Sequence, residues 1–424
     1  MIDSDTILKV ATDQYLESKD FNGYPCHTIL RLCDIKAGEL RPILHKLVES
    51  KKVTLEFGDR HANPHIKAFQ NEPTESQLKK LANTDFEHVC IYPSPEYLED
   101  VVKKGDFAGQ PYTLALALGT GQLEFRTFDL SVLEVYRNDP RYYYENDDIR
   151  GKIGIRDEYY NSSEMPEKDQ ILLKTFGFAY DEDFNRAVAA FCCYLSNLSP
   201  EHQQIWKLKE IQGTYKLHPD YFRNCILGDW GQRVSIFNAF IEEIKIINKM
   251  CDVMGKPHLF RKDFKDHRPR NFTFLVRPTL EEYNSFTLTL DKMMSDNLNK
   301  KFFMNDISDE FEEERDDGKV VVRPKGTITM LEEWLYIQFR PAEGDPVKEL
   351  IDTFKSVRQQ RQKPAHSLKP DEFNQKYFHS QRELISKAYD AIRLIRLIFA
   401  NHPSVRVADV KIPDLLYRGK IWNY

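Results

Sequence analysis

The chain has no long apolar run. None of its 424 residues belongs to a stretch approaching the roughly 18 uninterrupted apolar residues of a membrane-spanning helix. It has no CxxC pair, and its seven cysteines are an odd number, for which reduced thiols are the simplest reading. The opening MIDSDTILKV is acidic and has no apolar signal core, so a cytoplasmic location and no membrane partner are expected. Neither sign of charge dominates. Sixty Lys/Arg against 66 Asp/Glu give a net charge of −6, which argues against a protein coated in basic side chains for duplex DNA but leaves room for a local basic groove. There is no GxSxG, Walker or kinase pattern, and Leu118-Gly119-Thr120-Gly121, without the Lys-Ser/Thr of a phosphate loop, reads as a turn. His61 and His65 flank Asn63-Pro64 without further ligands, so no metal and no cofactor is expected.

What the chain has is core material: 41% hydrophobic residues, with 27 Phe and 21 Tyr as large anchors. Its length calls for two or three domains. The patterning predicts a multidomain protein, mainly α with a small α+β part. Residues 1–70 read as three helices and a hairpin. Ile7, Val10, Ala11, Tyr15 and Leu16 recur at helical spacing, a second helix fits Cys26–Leu32, and a third runs through Leu40, Leu44, Leu47 and Val48. Val53–Phe57 alternates as a strand, and His65–Phe69 could return. That order resembles a winged helix-turn-helix. The segment holds ten Lys/Arg and ten Asp/Glu, and this neutrality favours DNA less than it would a basic wing. Protein contact through the winged helix or the middle domain stands beside DNA binding.

Residues 71–85 are polar and read as a linker, and 86–175 read as a small α+β domain. There Val89–Tyr92, Tyr112–Leu118 and Leu123–Phe128 are strand candidates. From 176 to 424 a helical bundle is expected. Phe184, Val188, Phe191 and Leu195 fall at helical spacing, Ile236 to Met250 form a stripe, and Tyr283–Leu298 suits another helix. Two further helices are expected over 345–361 and 372–400. The acidic run at 305–318 reads as a solvated loop, with Val320–Val322 and Thr327–Met330 as a small hairpin.

Arg361-Gln362-Lys363-Pro364-Ala365-His366 carries the sharpest chemistry. Val347, Leu350, Ile351, Phe354 and Val357 form an apolar stripe. At about 100° per residue, Arg361 falls near that stripe's azimuth, with Arg358 one turn earlier. A buried guanidinium requires a carboxylate, carbonyl or phosphate partner. Pro364 ends or kinks the helix before His366. Arginine can offset charge on a phosphate while histidine moves protons. The stretch Arg358–Phe373 resembles the HEPN superfamily, helical bundles with an R-x4-6-H motif, in its abortive-infection-like branch; Gln362 and Pro364 depart from that family's usual residues. The resemblance implies a metal-independent endoribonuclease of a toxin or antiviral defence system, with RNA as substrate and a homodimer as the working form. On it, Arg361 and His366 are catalytic and Arg358 supports them. The most basic stretch, with Arg261, Lys262, Lys265, Arg268 and Arg270, is the candidate nucleic-acid-binding segment. The alternatives are a winged-helix DNA-binding regulator with a dimerising bundle, and a non-catalytic scaffold of a defence complex.

Overall fold

Asp3 accepts a hydrogen bond from the Thr6 amide at 2.8 Å, and the Ser4–Glu17 helix starts there because that side chain satisfies an amide with no partner inside the helix. Capping of this kind sets the elements of a computed structural model that describes residues 3–61, 63–160, 166–229, 233–264, 267–314, 320–340, 344–362 and 370–424. The chain divides into two compact units, 1–231 and 232–424, and is a mixed α/β protein in which helix predominates. Among the described residues no helix is long and apolar enough to cross a membrane.

In the first unit the helices Ser4–Glu17, Cys26–Leu32 and Ala37–Glu49 and the strand Val53–Phe57 arrive in the expected order. The partner of that strand is not the expected one. His65–Phe69 forms no strand, because its backbone is committed elsewhere: the Lys67 amide donates to Gln122 Oε1 at 2.8 Å, and the Lys67 carbonyl accepts from the Leu123 amide at 3.2 Å. Val53–Phe57 pairs antiparallel with Val89–Pro93 instead, which carries Tyr24–Pro25 on its other side. The segment expected as a linker is a helix, Thr74–Asn83. Its sequence is polar, but Leu81 is buried, and the Arg41 guanidinium donates to the carbonyls of Leu81 and Thr84. Gln77 Oε1 accepts the Leu55 amide at 2.9 Å, satisfying a donor on an edge strand that no neighbouring strand reaches.

A second, antiparallel sheet of the same unit runs in the order Phe125–Phe128, Arg186–Phe191, Leu172–Tyr180, Arg150–Ile155, Tyr142–Asn146, with Lys216–Leu217 added to the long strand. Two expectations fail here. Tyr112–Leu118 is largely helix, Pro111–Ala117, opened by a proline at its first turn. Arg186–Phe191 is a strand, not the start of a helix. All six of its residues are buried, so the alternation that marks a half-exposed strand is missing, and apolar spacing cannot separate it from a helix. Gly177 admits the ring of Tyr221 against the sheet: a Cβ there would lie 2.2 Å from Tyr221 Cδ1.

In the second unit five helices pack on one another: Ile236–Val253, Leu280–Met293, Thr327–Gln338, Pro346–Gln362 and Lys376–Ala400. Phe237 meets Phe272, Phe274 and Phe286 edge-on, at centroid distances of 5.1, 4.7 and 6.2 Å. The acidic run is partly strand, Glu310–Glu314, paired with Val320–Pro324, while Thr327–Met330 opens a helix. The last long helix starts at Lys376 and not at 372, because Phe373 bridges to Thr279 and Asp371 accepts the Glu281 amide at 2.9 Å. The C-terminal Ile421–Trp422 runs parallel to Val234–Ser235, with Trp422 stacked on Phe274.

Two buried carboxylates make this fold pH- and charge-sensitive. In the first unit Glu56 lies in the Val53–Phe57 strand with Oε1 lacking a hydrogen-bond partner among the described residues, and burial pushes its carboxyl up to about 7 despite Lys67, Arg60 and Lys80 nearby. The unfolded carboxyl titrates near 4.5, so the stabilising protonated form is fully present below that value and is lost as pH rises through 7. Glu56→Gln is therefore expected to raise the urea midpoint of unfolding more at about pH 8 than at about pH 5. In the second unit Glu243, fully buried, pairs with Arg396 and accepts Tyr389 Oη at 3.3 Å. Arg396→Met is expected to cost about 3–5 kcal/mol by leaving that carboxylate unpaired, and adding Glu243→Leu should restore most of it. Urea denaturation of both variants checks this.

Candidate functional site

The site begins with two helices that carry charge into an apolar face. Thr279 caps Leu280–Met293, accepting the Glu282 amide at 3.3 Å, and Glu281 and Glu282 complement the positive end of the helix. Phe286, Thr287, Leu290 and Met293 turn inward, and Asp291 turns inward with them. Pro346–Gln362 starts with proline, and Asp345 accepts the Lys348 amide at 3.0 Å. Val347, Leu350, Ile351, Phe354 and Val357 form its buried stripe, as expected, and Tyr283 Oη donates to Gln360 Oε1 at 2.6 Å across the two helices. Arg358 and Arg361 lie one turn apart at the border of that stripe.

The two arginines and two aspartates close a quartet. Arg361 Nη1 donates to Asp291 Oδ2 at 2.7 Å and to Asp296 Oδ2 at 2.8 Å. Arg358 Nε reaches Asp291 Oδ1 at 3.4 Å, and its Nη2 donates to Asp296 Oδ1. The aspartates differ in environment. The Asp291 side chain is 0% exposed and Asp296 41%, while each arginine is 34% exposed. Hydrogen bonding to Asp291 holds the Arg361 guanidinium firmly in its charged form. Arg361 Nη1 is anchored by both carboxylates, and among the described residues its Nε and Nη2 donate to nothing. The required carboxylate partner of Arg361 is thus present, twice over. His366, its expected catalytic companion, lies outside the described residues.

The candidate nucleic-acid-binding segment adjoins this quartet through adjacent residues. Asn297, next to Asp296 in the chain, clamps the basic strand of sequence: its Oδ1 accepts the Lys262 amide at 2.9 Å, its Nδ2 donates to the Lys262 carbonyl at 2.8 Å, and its own carbonyl accepts the Arg261 amide at 2.9 Å. Asn248 does the same for Phe260, at 3.1 Å to its amide and 2.9 Å to its carbonyl. Both asparagines are buried. An irregular segment is fixed on both sides, and Arg261 and Lys262 point into solvent beside a 490 Å³ depression that His258 and His267 also line. Asp263 adds a carboxylate there, and His258 Nε2 lies 2.8 Å from Asp252.

Not every basic residue of the segment is presented in this way. Arg270 is exposed. Arg268 turns inward: its Nε donates to the Phe272 carbonyl at 2.6 Å, its Nη1 to Asn238 Oδ1 at 2.9 Å, and its guanidinium lies 5.3 Å from the Phe237 ring centroid. Lys265 lies outside the described residues. Sequence reasoning missed Asp291, Asp296, Asn297 and Asn248. Asp291 had a signal, since an acid inside an apolar helical face must find a cation. The others had none, because an asparagine that clamps a distant backbone looks like any polar residue. Compared with protein-family models, curated proteins and solved structures, the chain matches none of them.

Proposed function

We propose that residues 232–424 form a HEPN-like helical bundle acting as a metal-independent endoribonuclease in a toxin or phage-defence setting. In this reading the first unit, whose opening segment is winged-helix-like, senses a trigger or binds a protein partner. The observation that carries the reading is the half-anchored fork of Arg361. One nitrogen is held by carboxylates, and among the described residues Nε and Nη2 donate to nothing; Asn297, the neighbour of Asp296, fixes the backbone beside Arg261 and Lys262.

The chemistry is that of internal transfer. A ribose 2′-oxygen attacks the adjacent phosphorus, the bond from phosphorus to the 5′-oxygen breaks, and a cyclic phosphate remains. His366 moves the protons, taking one from the 2′-hydroxyl or giving one to the departing oxygen. A homodimer would supply a second His366, so that one takes and the other gives. Arg361 bears the charge that builds on the non-bridging oxygens, Arg358 supports it, and Arg261 and Lys262 hold neighbouring phosphates.

A second reading is favoured by the same quartet: four charges that already neutralise one another can serve as a clasp between two helices in a non-catalytic scaffold. The two part on activity. On the ribonuclease reading, Arg361→Ala and His366→Ala each lose cleavage of single-stranded RNA by about a hundredfold or more while remaining folded. Equal cleavage by both variants and the wild type would leave only the clasp. Arg261→Ala/Lys262→Ala should weaken RNA binding and reduce the slope of log K against log salt by about 1.4, at roughly 0.7 per phosphate contact on a single strand. Anisotropy titrations across salt concentrations measure it.

A further inference from the structure

Asp291 and Asp296 contact the same two guanidiniums but cannot serve the same purpose. Asp291 is sealed in the helix interface, with each oxygen facing one arginine. Removing it would leave both guanidiniums held only by the half-exposed Asp296. Asp296 lies past the end of the Leu280–Met293 helix, on the solvent side, and gives Oδ1 to Arg358 and Oδ2 to Arg361. Two acceptor oxygens on one centre, each bonded to a different arginine, is also how a phosphodiester would present its two non-bridging oxygens.

We infer that Asp296 is an internal stand-in for an RNA phosphate, holding Arg358 and Arg361 until a phosphodiester displaces it, while Asp291 stays and keeps the arginines aimed. The inference rests on the ribonuclease reading above for the identity of its ligand. Charge supports displacement. Two arginines and two aspartates sum to zero. A phosphodiester added to the intact quartet would set three anions against two arginines, whereas one that takes the place of Asp296, its carboxylate turned out into water, leaves two anions on two arginines. Position supports it as well. Asn297, the next residue, fixes the backbone of Arg261 and Lys262, which ties two exposed cations to the same stretch of chain as Asp296.

The test compares the wild type with Asp296→Asn, Asp291→Asn and Asp296→Asn/Arg361→Ala. The probe is a short fluorescein-labelled single-stranded RNA of mixed sequence, read by anisotropy and by gel cleavage, with circular dichroism melts as the control for folding. Asp296→Asn is expected to bind about fivefold tighter, the scale of one partly exposed ion pair, with KM falling by a similar factor. Adding Arg361→Ala should cancel that gain, and Asp291→Asn should weaken binding. If Asp296→Asn binds no tighter than the wild type while Arg361→Ala abolishes cleavage, the displacement idea is wrong and the ribonuclease reading stands. If Arg361→Ala and His366→Ala cut RNA as well as the wild type, the ribonuclease reading fails. A tighter, Arg361-dependent binding by Asp296→Asn would then still support displacement by phosphate.

Discussion

A carboxylate with no access to water must be neutralised where it stands, and at Asp291 that requirement organises the second unit. The helix that carries it buries Phe286, Leu290 and Met293 on the same face, so Asp291 cannot rotate out without undoing the packing. Its counter-charge has to come to it, and Arg358 and Arg361 do so from the border of the Pro346–Gln362 stripe. That fixes the register of the two helices, which Tyr283 and Gln360 reinforce. An arginine position that would otherwise be free to sweep through solvent becomes a defined one. Glu243 and Arg396 impose the same discipline on Ile236–Val253 and Lys376–Ala400, but there both partners are buried.

A second device recurs across the chain. Buried side-chain amides act as single-residue partners for backbone on strand edges and in irregular segments. Gln77 serves Leu55, Gln122 serves Lys67 and Phe21, Gln381 serves Leu275 and Thr273, and Asn248 and Asn297 serve Phe260 and Lys262. Each satisfies backbone groups that no sheet reaches, so segments without regular structure can run through or along a core. In the second unit this is what turns a charged stretch of sequence into a fixed feature. Without the two asparagines, Arg261 and Lys262 would lose conformational freedom on binding an anion; with them, part of that cost is met during folding.

What the sequence made legible follows from which signals are local. Helix 346–362 and its inward-leaning Arg361 could be read directly, because apolar period and a terminal arginine lie within five turns of chain. The helices of the first seventy residues were legible for the same reason. The partner of Val53–Phe57 was not, since pairing with Val89–Pro93 skips an intervening helix and is decided by contacts far along the chain. Arg186–Phe191 was misread because complete burial erases alternation. The polar stretch around Thr74–Asn83 concealed a helix whose hold comes from Arg41, some forty residues away. Of the site, the arginines were visible and their carboxylates were not, because the selection of Asp291 and Asp296 from 66 acidic residues is made by tertiary structure.

The overall charge and the site bear on each other. A chain of net charge −6 repels a polyanion at long range, so any affinity for RNA has to be local and short-ranged. Exposed, uncompensated arginines would supply it, but they would bind any anion with equal ease. A quartet that is neutral at rest avoids this. It gives little to a lone anion, which must displace Asp296 without other contacts. On the displacement proposal it would give more to a strand, which could add contacts to Arg261 and Lys262 as one phosphate takes the place of the carboxylate. Discrimination between a chain and a single phosphate then comes from the summed contacts, which is the ordinary consequence of linking several weak sites on one ligand.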